Sequence, residues 1–111
     1  MELKYDYWTG HANDDLVARL KRSVNTYLVN HKKIKIGITN NPETRKSAHK
    51  RHETQWDAMH VKYETSSRDY VTYMEAILVE YFWDYIENEI GGGGGNYGNG
   101  PYYLYVLIKK H

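Results

Sequence analysis

The stretch KIKIGITNNPETRKSAH, Lys33 to His49, decides the fold of this 111-residue chain. Isoleucines alternate with small or polar residues from Ile34 to Thr39, which predicts a strand with one apolar side. The turn Asn40-Asn41-Pro42 ends this strand, and proline is favoured in the first turn of a helix. A basic helix is therefore predicted from about Pro42 to Glu53.

The polar sides of this strand and helix carry groups that suit an anion. The strand places three residues opposite its isoleucines, namely Lys35, Gly37 and Thr39. Arg45, His49 and His52 share one helix face by their spacing. Arginine offers a planar fork for phosphate, and histidine exchanges a proton near neutral pH. An anion site is one interpretation, and a solvated basic helix is the alternative. A zinc pair of His49 and His52 is a weaker signal, since no further ligand lies nearby in the sequence.

Composition bounds the class of protein. The net charge is +1, there is no cysteine, and 12 residues are tyrosine. From His31 to His52 the only acid is Glu43, whereas residues 53–92 contain nine acids against two basic residues, Lys62 and Arg68. The absence of cysteine excludes disulfides and thiolate metal sites and fits a reducing compartment. No apolar run is long enough for a signal peptide or membrane span, so we expect a soluble, intracellular protein without a membrane partner.

The remaining elements predict a single domain over 1–111, with a helical extension at 1–23 and a core at 24–108. The predicted order is α-β-β-α-β-α-β. Thr26–Val29 is predicted to form a hairpin with Ile34–Thr39. The later elements are a strand at Met59–Tyr63, a helix at Arg68–Glu87, a glycine-rich loop at 91–101 and a strand at Tyr102–Ile108. The fold class is α/β (α+β), with a small antiparallel or mixed sheet flanked by helices.

One acid stands out on the predicted helix Arg68–Glu87. On a wheel of 3.6 residues per turn, Glu75 falls at the centre of an apolar stripe, whereas Glu80 falls on the polar side. The stripe consists of Val71, Leu78, Val79, Phe82 and Ile86. A carboxylate there needs a cation, a metal or a hydrogen-bond donor. A buried salt bridge is the alternative to a functional role.

These residues together resemble the GIY-YIG nuclease family. Asn25-Thr26-Tyr27 stands for the first motif and Lys35-Ile36-Gly37 for the second, followed by Arg45 and His49. Met74–Val79 is similar to the family helix that bears the metal-binding glutamate, and Asn88 stands where the family keeps a late asparagine. Two motif positions differ from the commoner family residues: Asn25 replaces glycine and Lys35 replaces tyrosine.

The resemblance implies a metal-dependent DNA endonuclease with one Mg²⁺ (or Mn²⁺) held by Glu75 and water. Tyr27, assisted by Lys35, would deprotonate the attacking water. Arg45 and His49 would stabilise and position the phosphate. The resemblance further implies that Asn88 orients the metal shell and that the DNA is contacted by Gly37, Thr39, Lys46, Lys50 and His52.

Several alternatives stay open at the level of the sequence. A catalytically silent nucleic-acid-binding module is favoured by the Asn25 substitution. A small tyrosine-rich protein-interaction or inhibitor domain would use the charges at an interface. For the nuclease we expect low or short sequence specificity unless the protein forms a homodimer. Glu80 with Asn96 competes with Glu75 and Asn88 for the metal site, and the helical wheel favours Glu75.

Overall fold

A computed structural model describes residues 1–31, 33–52, 56–88 and 98–110, with the side chains of 50–52 outside the description. The elements in chain order are β1 (Glu2–Trp8), α1 (Asp14–Asn30), β2 (Lys33–Thr39), α2 (Pro42–His52), β3 (Ala58–Thr65), α3 (Arg68–Tyr81), a 3₁₀ turn (Trp83–Tyr85) and β4 (Tyr102–Lys109). The four strands form one mixed sheet in the order β1-β3-β4-β2. The predicted fold class is confirmed.

Strand β4 lies inside the sheet and pairs antiparallel with both β2 and β3, while β1 pairs parallel with β3. The register places Gly37 opposite Tyr105, Tyr105 opposite Val61, and Val61 beside Tyr5. Because paired residues point to the same side of a sheet, these four residues form one row across all four strands.

The two sides of the sheet are covered differently. One side, here called the core face, packs against α1 and α3 and contains the larger apolar cluster. Its strand residues include Ile34, Ile36, Ile38, Leu104, Val106 and Ile108. The other side, here called the α2 face, carries Lys35, Gly37, Thr39, Tyr103, Tyr105 and Leu107. Its smaller cluster consists of Trp56, Met59, Tyr105 and Leu107.

The predicted hairpin strand at Thr26–Val29 is wrong, because these residues form the last turns of α1. Their β-branched and aromatic side chains favour strands, but the apolar stripe of the helix continues through them at helical spacing. Val24 is fully buried, and Tyr27 and Leu28 pack against the same cluster. The backbone N–H of His31 bonds the carbonyl of Tyr27 and closes the helix end.

The predicted helical extension at 1–23 is also corrected, since its first residues form β1. Leu3 contacts the small cluster on the α2 face, and Trp8 packs against the core face. The sheet therefore includes a strand outside the predicted core of 24–108. Helix α3 ends at Tyr81 rather than Glu87, because Phe82 leaves the helical conformation and a 3₁₀ turn follows. Residues 91–97 of the predicted glycine-rich loop lie outside the described residues.

None of the helices in the described ranges is both long and apolar enough to cross a membrane.

Candidate functional site

Gly37 lies directly beneath the ring of Tyr105. A Cβ built on this glycine would overlap the phenol oxygen and the adjacent ring carbon, and would lie 2.9 Å from a further ring carbon. The absent side chain is thus what lets the tyrosine lie flat over β2. This explains physically why the strand KIKIGIT has a glycine at this position of its polar side.

Two side chains of α2 converge on the hydroxyl of Tyr105. The Nε of Arg45 donates to the phenol oxygen at 3.3 Å, and the Nε2 of His49 lies 2.8 Å from it. The His49 ring meets the tyrosine edge-to-face, with 5.7 Å between centroids. Tyr105 is 2% exposed and His49 is 6% exposed. A phenol, an imidazole and a guanidinium therefore share one hydrogen-bonded group, in which Tyr105 and His49 are buried and Arg45 is exposed.

The start of α2 is set by the turn that follows β2. The side-chain oxygen of Asn41 accepts from the backbone N–H of Thr44, and the hydroxyl of Thr39 bonds the backbone of Asn41 in both directions. Side-chain oxygens at such positions satisfy N–H groups that the first helical turn leaves without partners. This cap directs α2 back across Gly37, so that Arg45 and His49 reach Tyr105.

Several residues predicted to bind DNA lie on or beside this group. Lys35 and Thr39 share the α2 face with Gly37, since they are two residues away from it along β2. Arg45 is exposed and Lys46 is half-buried on α2. The side chains of Lys50 and His52 lie outside the described part of the chain, and their predicted role stays a prediction.

Tyr27 does not belong to this group. It lies on α1 and packs against the core face, and its hydroxyl is 3.2 Å from Nδ1 of His60. Burial lowers the pKa of His60, and the charges of Lys62 and Lys4 lower it further. The neutral imidazole is therefore favoured beside Tyr27. The predicted first-motif tyrosine thus lies on the opposite side of the sheet from Arg45 and His49.

Asn88 has a structural role at the outer edge of β2. Its amide donates to the carbonyl of Ile36 at 2.7 Å and accepts from the N–H of the same residue at 2.9 Å. The N–H of Glu87 bonds the carbonyl of Ile34 in the same way. These contacts satisfy backbone groups that an edge strand would otherwise expose. Both ends of the Asn88 side chain are engaged there, which differs from the predicted place in a metal shell.

Glu75 lies on α3, at the flank of the buried stripe rather than at its centre. The stripe consists of Val71, Met74, Leu78 and Phe82. Burial raises the pKa of Glu75 from 4.5 to about 7. Within the described ranges no hydrogen bond or ion pair reaches its carboxylate. Glu80 is exposed, as the helical wheel predicted.

A catalytic metal held by Glu75 would have to lie near the Tyr105 group. Helix α3 packs on the core face, whereas Arg45, His49 and Tyr105 lie on the α2 face. Among the residues that the structure describes, no three histidines, cysteines or acids lie close enough together to hold a metal ion. Glu75 therefore does not fit a metal that acts together with the Tyr105 group.

Tyr105 is the residue that the sequence reasoning missed. A strand was predicted at Tyr102–Ile108, and the two-residue repeat of a strand would place Tyr103, Tyr105 and Leu107 on one of its sides. The missing information was which strand lies next to β2, since the pairing spans more than sixty residues of the chain. No family model, curated protein or solved structure matches the chain.

Proposed function

We propose that the protein is a DNA endonuclease of the GIY-YIG type whose site lies on the α2 face, with Tyr105 in the place predicted for Tyr27. The supporting observation is the Tyr105 hydroxyl, which lies over Gly37 between Arg45 and His49. In the family the two motifs lie on neighbouring strands. Here the strand beside Lys35-Ile36-Gly37 is β4, which carries Tyr105.

The geometry suits the transfer of a proton away from an attacking water. Arg45 donates to the phenol oxygen, so the proton of that hydroxyl can point to Nε2 of His49. The phenol would take a proton from water as its own proton passes to the imidazole. The water oxygen then attacks phosphorus, and the bond to the leaving oxygen breaks. The positive charge of Arg45 would stabilise the negative charge that develops on the phosphate.

Access to the phenol depends on α2. Tyr105 and His49 are buried, while Arg45 is exposed, so a phosphodiester meets the guanidinium first. The helix sequence PETRKSAHKRH has few apolar residues, and polar bonds to Tyr105 help to hold it on the sheet. Segments with few buried apolar contacts open at low cost. In this proposal, α2 opens transiently to admit the substrate and then closes again, because the proton transfer requires the bonds of Arg45 and His49 to the phenol.

The family resemblance implies Mg²⁺ or Mn²⁺, and the assay below measures whether cleavage depends on either ion. No step is assigned to Glu75, because that residue lies on the other side of the sheet. Lys35 is on the same face as Arg45 and is proposed to contact the phosphate backbone.

A matched pair of tyrosine variants tests the proposal. Cleavage of plasmid and single-stranded DNA is measured with Mg²⁺ or Mn²⁺ and with EDTA. Tyr105→Phe keeps the ring over Gly37 and removes only the hydroxyl, so cleavage should fall by about a hundredfold or more, the usual scale for a lost catalytic proton transfer. Tyr27→Phe removes a hydroxyl of the core face and should leave cleavage near the parental rate. The reverse result would place the site on the core face.

A silent nucleic-acid-binding module is the second candidate. The burial of the Tyr105 hydroxyl and the distant location of Glu75 favour it. It predicts DNA binding that weakens steeply with salt, because released counterions drive such binding, and no cleavage under any metal condition. Parental DNA nicking that Tyr105→Phe abolishes would exclude this candidate.

A further inference from the structure

Three tyrosines lie together on the α2 face, on strands β1 and β4. This tyrosine patch consists of Tyr5, Tyr7 and Tyr103. Tyr5 and Tyr7 are 52% and 41% exposed. The ring centroids of Tyr5 and Tyr7 are 6.4 Å apart, and those of Tyr7 and Tyr103 are 6.5 Å apart, both edge-to-face. Large aromatic side chains at this exposure offer ring faces to a ligand.

The patch continues the row that contains the candidate site. Tyr5 is in register with Val61, and Val61 with Tyr105, which itself is opposite Gly37. Neighbouring strands are about 4.8 Å apart, so Tyr5 lies about 10 Å from Tyr105 across the sheet. Tyr103 lies two residues before Tyr105 on the same side of β4. A ligand bound at Arg45 can therefore extend over the patch without leaving the sheet.

Carboxylates and cations are separated along this surface. Glu64 bonds the hydroxyl of Tyr7 and raises its pKa, while burial, Glu43 and Tyr103 raise the pKa of Tyr5. The phenols are therefore uncharged at neutral pH. The two acids lie at the patch, whereas Arg45 and Lys35 lie towards β2. A nucleotide has the matching division, with N–H donors and an aromatic face on the base and negative charge on the phosphate.

We propose that the tyrosine patch binds unpaired nucleobases next to the phosphodiester held at Arg45, so that the preferred substrate is single-stranded or locally unpaired DNA. This inference rests on the proposed function, because it assigns the bases of the same substrate. Base stacking on aromatic side chains tolerates any sequence. Paired bases in a duplex are stacked on one another and do not offer their faces to the patch.

A basic peptide is the competing occupant, since aromatic rings and carboxylates also attract lysine and arginine. The continuity of the patch with Arg45 and Lys35 favours nucleic acid, because those cations would repel a basic peptide that extends along the row. The two occupants are separated by the binding experiment below.

The experiment measures the affinity of the full chain for labelled single-stranded oligodeoxycytidylate in EDTA, where metal-dependent cleavage is absent. Tyr5→Ala and Tyr7→Ala should each weaken binding by about fivefold or more, the scale of one lost base–aromatic stack. Tyr5→Phe keeps the ring and should bind within about twofold of the parent. Tyr73→Ala removes a tyrosine of similar exposure from α3, away from the α2 face, and should leave affinity unchanged. Melting temperatures confirm that each variant is folded, and Tyr5→Leu replaces Tyr5→Ala if the latter unfolds.

Salt dependence separates stacking from charge. Losing a ring should lower affinity equally at low and high salt, whereas Lys35→Ala should reduce the slope of affinity against salt. Duplex DNA of the same length should bind Tyr5→Ala and the parent alike.

Two results overturn the inference. The first is that Tyr5→Ala and Tyr7→Ala bind single-stranded DNA as tightly as the parent. The second is that these variants lose binding to an oligolysine or oligoarginine peptide instead of binding to DNA. Its failure and that of the nuclease proposal are distinguishable. Single-strand binding that depends on the patch tyrosines, without any cleavage, supports the patch and contradicts the endonuclease. Cleavage that stays at the parental rate in Tyr5→Ala and Tyr7→Ala, with unchanged single-strand affinity, supports the endonuclease and contradicts the patch.

Discussion

The helices on the two sides of the sheet are held by different interactions. On the core face, α1 and α3 are held by a large apolar cluster in which Leu20, Val24 and Met74 are completely buried. On the α2 face, Arg45 donates to the phenol of Tyr105 and His49 shares a hydrogen bond with the same phenol, and these bonds connect the helix to the sheet. Apolar burial depends mainly on area, whereas these bonds require particular donors at particular positions. The first side stabilises the domain, and the second is the one suited to chemistry.

The largest expected effect falls on the α2 face. Arg45→Lys keeps a positive charge but loses the planar fork, so cleavage should slow by about a hundredfold or more, the cost of one lost charge-stabilising donor. Arg45 is exposed, so the melting temperature should stay within a few degrees of the parent. Rates of plasmid nicking measure the effect, with Arg22→Lys on the exposed side of α1 as the control. Parental turnover with weaker DNA binding would show that Arg45 only docks the backbone.

A smaller effect, on stability, is expected where Gly37 of β2 contacts the ring of Tyr105. Gly37→Ala places a methyl group into the phenol of Tyr105. Such overpacking costs about 1–3 kcal/mol of unfolding free energy. Urea unfolding of Gly37→Ala, Tyr105→Leu and the double variant measures the contact. The double variant should lose less stability than the two single losses added together, because the smaller leucine makes room for the methyl group. Strict additivity would contradict the close approach of glycine and ring.

The third effect probes the core face and depends on pH. The folded-state pKa of Glu75, about 7, exceeds its unfolded value of 4.5, so folding binds a proton between these pH values. Stability from this carboxyl is complete below about pH 4.5 and is lost as pH rises through 7. Glu75→Gln should therefore stabilise the protein by roughly 1–2 kcal/mol above pH 7, after allowance for partial exposure, and hardly at pH 4.

Glu80→Gln, on the exposed side of the same helix, is the matched control and should change the melting temperature little at any pH. Thermal melts across pH 4 to 8 (a range around the two pKa values) compare the two variants. A pH-independent gain for Glu75→Gln would contradict the desolvated carboxylate. Loss of Mg²⁺-dependent cleavage in Glu75→Gln would indicate that Glu75 on α3 holds a metal and that both faces of the sheet take part in the reaction.

The strand β2 and the helix α2 could be predicted from local signals alone. Alternating isoleucines, the asparagine turn and Pro42 set bounds that agree with the structure to within one residue at both ends of β2 and at the start of α2, while the predicted last helix residue, Glu53, lies outside the described residues. The predictions of β3 and β4 were similarly close, each within two residues. These elements follow from patterns inside a short window, so no distant contact was needed to predict them.

Thr26–Val29 shows where local reasoning fails. Its residues favour a strand, and the adjacent Asn30-His31 suggested a turn, yet burial of Val24 and Leu28 against α3 and the sheet extends α1 through them. The prediction of Tyr27 as the site tyrosine depended on that hairpin. Strand pairing between distant segments decides which tyrosine lies over Gly37, and no signal near either residue encodes it.

The same limit explains why β1 was missed. The segment ELKYDYW alternates, but five of its seven residues remain exposed, because an edge strand buries little. Its identity as a strand depends on pairing with β3, more than fifty residues away. The tyrosine patch depends on that pairing, so it could not be predicted from the sequence either.

The position of β4 has a consequence for biosynthesis. Among the described strands β2 pairs with β4 alone, and β4 is the last of the four to leave the ribosome. A nascent chain that already displays Arg45 and Lys35 still lacks the phenol that organises them. Pairing over such sequence separation is slow relative to helix formation, so α1 and α3 can form while the sheet is incomplete. An activity that needs the phenol of Tyr105, as proposed above, therefore requires β4 to have left the ribosome.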